Sequence, residues 1–465
     1  MKLHRALAGV FTIASAVGFP SVNALRDVMY LDQWHSSFLE TPGIFTKEDF
    51  RGITHVILAF MDPANFTQDA TAIQPCIKAS ELRPHFDNDT QIGVSLGGWG
   101  DYSTSFSQVS TEGTRAAFAT HLSNWLAMED LDFVDIDWEY PGGNGADYLV
   151  TPNDKKTKEI TDFPLFLQAI KKQIGTKSLS IAVGGTATGM LAFPNKAQSK
   201  AVWDIVDFVN IMAYDFVNRR SNATAYHTDV NTTMSAVQSW MALGLPPQKV
   251  NLGFGFYAKY FELGISAGPC PLPWIGCLIA ESEDPVTGAD NFNSGILTFE
   301  QSVLSPNRTL YHGLTPDGSC GVLNGATTGF SCNPGTCCGA SGWCGSSAEH
   351  CRAGCQTAWG GCQGPDTVAS LQNALKYGQT DWSIGGQSYL DTTTTPNLFW
   401  TFETVELMQQ KYDRIVAGLG LGGVMGWSLG EDSYDWAFVK AMQNMTVTWA
   451  QRDWNMTVSA KRYHA

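Results

Sequence analysis

An α/β barrel is the fold this sequence predicts, and three observations predict it. Eight short apolar or alternating runs recur along the chain, many followed by Gly, Asp or Asn. Segments of helical character lie between most of them. No glycine-rich phosphate loop marks the chief competitor, an open doubly wound sheet. Eight regular strand–helix units favour closure into a (β/α)8 barrel, whose reactive groups sit at the C-terminal ends of the strands.

The runs are residues 27–34, 53–60, 91–97, 133–140, 179–184, 208–215, 250–257 and 423–429. Residues 114–129, 163–174, 203–206 and 234–243 read as helical, the last closed by Gly244. The spacing breaks once. Residues 258–422 separate the seventh run from the eighth, far more than an ordinary connection, and hold ten of the eleven cysteines. Folded structure is therefore expected there, at two nested levels. Residues 261–316 and 365–400 form an α+β insertion, and 317–364 a small disulfide-rich module inside it. The barrel keeps 25–260 and 401–450, and 451–465 is a C-terminal tail.

Composition agrees with this size. The chain has 465 residues, which at roughly 150 per domain suggests three domains. Hydrophobic residues make up 44% and charged residues 16%, enough for a large core and contrary to wholesale disorder. The net charge of −15, with no basic run beyond two or three residues, excludes a nucleic-acid partner held by phosphate neutralisation. Lys2 and Arg5, an apolar run over 6–19 and Val22-Asn23-Ala24 form a secretory signal peptide over 1–24. Seven Asn-x-Ser/Thr sequons (Asn65, Asn88, Asn222, Asn231, Asn307, Asn444 and Asn455) agree with secretion. No second apolar segment reaches about 18 residues, so no membrane partner is expected. The mature chain is expected to be soluble and extracellular, where disulfides persist.

The fourth run carries the chemistry. Period-two alternation puts Asp135, Asp137 and Glu139 on one face and Val134, Ile136 and Trp138 on the other. The apolar set packs outward on helices; the acids point into the barrel. Carboxyls so placed titrate as a coupled group, with at least one pKa raised. Glu139, just before Pro141-Gly142-Gly143, lies nearest the mouth, where a protonated carboxyl suits a general acid. A solvated edge strand would not be so apolar on its other face. A Mg²⁺ or Ca²⁺ site lacks a second acid cluster or His pair. No metal and no cofactor is expected.

Asp132-x-x-Asp135-x-Asp137-x-Glu139 resembles the DxxDxDxE signature of glycoside hydrolase family 18, the chitinases. Ser95-Leu96-Gly97-Gly98-Trp99 resembles the family's SxGG motif, Met212-Ala213-Tyr214-Asp215 its MxYD motif, and Gly426-Trp427-Ser428 its eighth-strand Trp. Four motifs in order, each at a strand end, cover nearly the whole chain outside the cysteine-rich insert. The resemblance implies a TIM barrel that hydrolyses β-1,4-linked N-acetylglucosamine with retention, the substrate's acetamido group acting as nucleophile. It makes Glu139 the general acid and base. Asp137 orients the acetamido group and shares a proton with Asp135. Tyr214 donates to the acetamido oxygen, Asp215 bonds the distorted sugar, and Trp427 is the floor under it. Tyr30, Phe60, Trp99 and Met212 become pocket walls, and chitin or chitooligosaccharides the expected ligands.

Spacing alone cannot pair the eight clustered cysteines. The run Cys337-Cys338-Gly339-Ala340-Ser341-Gly342-Trp343-Cys344-Gly345 resembles a hevein-type chitin-binding domain. That resemblance implies Cys320–Cys338, Cys332–Cys344, Cys337–Cys351 and Cys355–Cys362. Of the family's sugar-site positions, here Gly339, Ser341, Trp343 and His350, only Trp343 remains a stacking platform, so the module either binds chitin weakly or is a scaffold. Cys270 and Cys277 are expected to bridge each other. Cys76 is left over, either free and buried or joined to another chain. The combination also resembles the chitinase-like subunits of yeast killer toxins, which would bring a partner chain. The alternative functions are a chitin-binding lectin or docking subunit with little turnover, and an endoglycosidase of N-glycans, against which the large insertion favours a polymer cleft.

Overall fold

The eight expected runs form eight parallel strands hydrogen-bonded in a ring. The computed structural model describes residues 25–463, apart from 41–42, 101, 265–267, 305–312 and 322–328. The signal peptide expected at 1–24 and the Asn307 sequon lie outside the described residues. The barrel strands are β1 (Arg26–Asp32), β2 (His55–Met61), β3 (Gln91–Gly97), β4 (Phe133–Asp137), β5 (Ser178–Gly184), β6 (Phe208–Met212) and β7 (Val250–Gly255). After β7 come β8 (Tyr257–Glu262), β9 (Ser294–Thr298), β10 (Cys337–Cys338), β11 (Cys344–Gly345), β12 (Gln379–Asp381), β13 (Gly386–Asp391) and β14 (Leu398–Phe402). The last barrel strand is β15 (Gly423–Trp427), which closes the ring between β1 and β7.

Alternation along each strand splits the core in two. Val28, Tyr30, Ile57, Phe133, Phe208 and Met425 fill the barrel interior. Val56, Leu58, Val94, Leu96, Val134 and Ile136 face outward into a second, larger core shared with the helices. Trp138 continues the outward face of β4, stacked on Phe106 at 5.1 Å. The acid face therefore points inward, as the alternation predicts.

One helix matches the sequence reading closely (Arg115–Met128), and two begin four residues earlier than read, at Glu159 and Val230. The reading at 203–206 is corrected: the helix is Lys196–Trp203, started by the Asn195 side chain, which accepts from the Ala197 and Gln198 amides. Lys196, Gln198 and Lys200 on its exposed face, with a polar Ser199 on the buried one, hide the apolar period. Within the stretch expected as a C-terminal tail, 451–465, the backbone continues the helix Ala437–Tyr463.

The insertion is a five-stranded antiparallel sheet in the order β12-β13-β14-β8-β9, with helix Thr367–Tyr377 packed against it. Its first strand starts at Tyr257 and its last barrel-proximal strand ends at Phe402, so the sheet reaches into both stretches assigned to the barrel. Nested in it, β10 and β11 form a hairpin, and all five expected disulfides are present: Cys320–Cys338, Cys332–Cys344, Cys337–Cys351, Cys355–Cys362 and Cys270–Cys277. The apolar cluster of the small module is little more than Trp359 and the cystines. Each bridge of this loop length restricts the unfolded chain by about 3 kcal/mol, which is what so small a core needs. The module docks on the sheet through the Gly354 amide, which donates to the Tyr260 hydroxyl at 2.8 Å, and through Arg352, which donates to Asn293 at 2.9 Å. Cys76 is exposed and unbridged, not buried.

Gly97 ends β3 where no side chain fits. Its φ is +104°, and a Cβ there would lie 2.2 Å from the Asp137 carbonyl oxygen. Gly97→Ala should therefore destabilise the chain by at least about 2 kcal/mol in urea unfolding; an unchanged midpoint would contradict this close approach.

Candidate active site

Strand β4 delivers a column of carboxyls. Asp135, deepest and fully buried, accepts hydrogen bonds from Tyr30 (2.8 Å), Ser95 (2.8 Å) and Ser180 (2.6 Å), with Asn210 at 3.5 Å. These donors come from β1, β3, β5 and β6, so four strands converge on one side chain. Burial still raises its pKa, with the four hydrogen bonds opposing. Asn210 also donates to the Tyr30 hydroxyl and accepts from Asn251, which accepts in turn from Arg26, so the polar chain runs down to the barrel base.

Asp137 stands one step higher. Its Oδ1 is buried without a hydrogen-bond partner among the described residues. Burial, then the charges of Glu139 and Asp135, push its pKa well above the ordinary value. The donors around Asp135 all come from other strands. Glu139 lies just past the end of β4, 9% exposed at the mouth. Burial raises it to about 7 against a lowering hydrogen bond from Tyr140, and the Asp215 charge adds to the rise. The turn that follows is pinned by Glu159, which accepts from the Gly142 amide at 2.9 Å and from Ser107 at 2.6 Å. Asp132, first in the motif, is not in this column: it accepts from Arg83 and the Ile92 amide.

The aromatic residues separate into layers. Trp427, at the end of β15, is half-buried and lies nearly parallel to Phe60 at 5.3 Å, with Tyr30 tilted against it at 5.5 Å. Tyr30 is 1% exposed and its hydroxyl is bonded to Asp135, so it supports the floor from below and is not a wall. Phe60 is 9% exposed and backs the indole. Tyr214 and Met212 border the same cluster. Trp99 is 45% exposed on the rim, with the Arg220 guanidinium 5.2 Å from its ring. Trp343 lies on the small module, outside this pocket.

Asp215 follows β6 in a left-handed conformation, φ +59°, which Asp tolerates better than most residues. The Tyr257 hydroxyl donates to it at 2.7 Å, and the Lys259 ammonium lies at 2.9 Å. Burial would raise its pKa; Lys259 and the nearby His227, at 3.8 Å, overcome this and hold Asp215 well below the ordinary range. His227 itself is pushed down to about 4 by burial. Tyr257, Lys259, His227 and Tyr140 were not singled out from the sequence. Tyr257 and Lys259 share one face of β8 by period two, the one local signal that could have paired them.

Barrel, acid column and indole floor together place the chain among barrel glycoside hydrolases. It belongs to the glycosyl hydrolases family 18, whose sequence model matches residues 26–432. Chitinase 1 of Aphanocladium album is 26% identical over 249 residues, covering 45% of this chain and 56% of that protein. The chain thus spans about half the length of the curated relatives it matches. A chitinase from Rhizomucor miehei superimposes with a TM-score of 0.60 at 18% identity, over 90% of this chain and 99% of that one. A class V chitinase from Nicotiana tobaccum, solved in complex with NAG4, gives 0.57 at 14% identity, over 91% of this chain and 99% of the other.

Because Asp135 relies on donors from other strands, Tyr30→Phe should cost about 1–3 kcal/mol. Urea unfolding checks this; a change below 0.5 kcal/mol, the scale of a surface substitution, would show that the hydroxyl carries little of the column.

Proposed function

We propose that the protein hydrolyses the β-1,4 links of chitin or chitooligosaccharides, with retention and with the substrate's own 2-acetamido group as nucleophile. The observation that carries this is Glu139: a carboxyl raised to about 7 at the mouth of a barrel that also carries the Trp427 indole, next above Asp137, whose pKa burial and like charge raise. Glu139 gives its proton to the glycosidic oxygen as the C1–O bond breaks. The acetamido carbonyl oxygen attacks C1, forming an oxazolinium ion. Asp137 orients the acetamido N–H and stabilises the positive charge as it develops, its own proton passing down toward Asp135. Tyr214 donates to the acetamido oxygen, and Asp215 bonds the distorted sugar on Trp427, whose face suits pyranose C–H groups. Glu139, now ionised, takes a proton from water as the water opens the oxazolinium. No metal or cofactor enters any step.

The five disulfides suit an extracellular protein. Among the described residues no helix is long and apolar enough to cross a membrane. A binding contribution from the small module is favoured by Trp343, 53% exposed. Whether that module adds retention is read directly: Trp343→Ala should release more protein from insoluble chitin while leaving turnover of soluble oligomers unchanged.

Glu139→Gln removes the acid but keeps the shape. Turnover of N-acetylglucosamine oligomers should fall at least about a hundredfold with binding retained; a variant that still turns over would sink the assignment. Since Glu139 acts as acid only while protonated, kcat/KM should decline as pH rises through about 7. Asp215 works ionised, so Lys259→Met, by raising its pKa, should move the acidic limb of the profile to higher pH. An acidic limb that stays in place would show that Lys259 does not set the charge of Asp215.

A further inference from the structure

Beside the floor lies a buried ionic cluster that no step above uses. Asp32, at the end of β1, is fully buried, and its Oδ1 accepts from the Trp34 amide (2.9 Å), the His35 amide (3.0 Å) and His35 Nδ1 (2.9 Å). Its Oδ2 accepts from the Ser428 hydroxyl, next to Trp427. The His35 ring is 12% exposed, with Glu431 Oε1 3.7 Å from Nδ1 and Glu300 Oε1 3.9 Å from Nε2. Three chain segments thus meet on one imidazole: the loop after β1, the loop after β15, and Glu300 just past β9 of the insertion.

The backbone makes the same junction. The Phe299 amide donates to the Glu431 carbonyl at 2.9 Å, joining the insertion to the loop after β15. A Cβ on Gly430 would lie 1.8 Å from the His35 carbonyl oxygen, so the two barrel loops meet without a side chain between them. Burial would lower the His35 pKa, but the Asp32 hydrogen bond and charge, with Glu431 and Glu300, raise it to about 10. The ring is therefore an imidazolium at neutral pH. A cation in its place is disfavoured, because hydrogen-bond donors already occupy both oxygens of Asp32.

We propose that His35 is a positioning residue, an ionic rivet that holds the Trp427 loop and the insertion domain together as one cleft without touching sugar. As a role in substrate binding, this rests on the chitin-cleaving function proposed above. The rivet sets the floor and the insertion side of the cleft, so its loss weakens the hold on a long substrate more than it slows bond cleavage at Glu139.

The test is a KM-against-kcat comparison on a hexamer of N-acetylglucosamine. His35→Gln should raise KM roughly tenfold and change kcat less than about threefold, while His35→Lys, which keeps the charge, should recover most of the loss. Glu300→Gln, which removes the insertion's charge facing His35 but keeps a side chain that can still accept from Thr298, should give the same pattern more weakly and guards against a His35 variant that fails to fold. Amide hydrogen exchange of His35→Gln, or of Glu300→Gln if that is the variant that folds, should rise at 296–300 and 427–432. Unchanged KM, a kcat loss matching the KM change, no recovery in His35→Lys, or unchanged exchange would each overturn the rivet. A wild-type protein that does not cleave the hexamer overturns the proposed function instead, and exchange still decides the rivet.

Discussion

A carboxylate moved from water into a protein interior loses several kcal/mol of solvation, and this barrel buries three along β4 and the residues just past its end. Only Asp135 is given a nearly full set of donors, drawn from β1, β3, β5 and β6. Above it, Asp137 Oδ1 has no partner among the described residues and Glu139 faces the Asp215 charge, and both move toward the neutral form. The same unevenness that makes the column tolerable also makes it reactive. A column solvated equally at every level would have ordinary pKa values and no proton to give at neutral pH.

The insertion takes part in this balance. Strand β8 follows β7 after a single residue, Phe256, so the insertion sheet begins where the barrel wall ends. That continuity carries Tyr257 and Lys259 to Asp215, whose charge is set by a residue outside the barrel proper. On the other side of the floor, Glu300 reaches His35 from the same sheet. The insertion therefore holds the pocket at two points, and its removal would leave Asp215 without its counter-ion.

How much of this was legible in the sequence depended on the range of each interaction. The acid column was legible because its logic is local: alternate residues on a strand share a face, and Val134, Ile136 and Trp138 declare the other face apolar. The eight barrel runs were legible for the same reason. Tyr30 reads from the sequence as a pocket wall and not as a donor to Asp135, because a contact between residues 105 apart leaves no periodic trace. Lys259 is a lone polar residue in an apolar stretch and His227 stands among polar neighbours without a pattern, and only the fold brings them to Asp215. The start of the insertion was misplaced by four residues because 250–262 runs on with no turn signal at Phe256. The disulfide pairing, by contrast, was carried by the hevein-type pattern and not by spacing.

The small module is inserted into a sheet and hydrogen-bonded to it at Tyr260 and Asn293. Carbohydrate modules strung on flexible linkers gain from reach: they hold the polymer while the enzyme searches around the anchor. A module docked on the insertion sheet in this way has no such reach. On the proposal that Trp343 grips sugar, that contact would be presented at one distance and one angle to the cleft. Such an attachment would work as a ruler, rewarding substrates whose geometry spans both points and gaining nothing from those that do not.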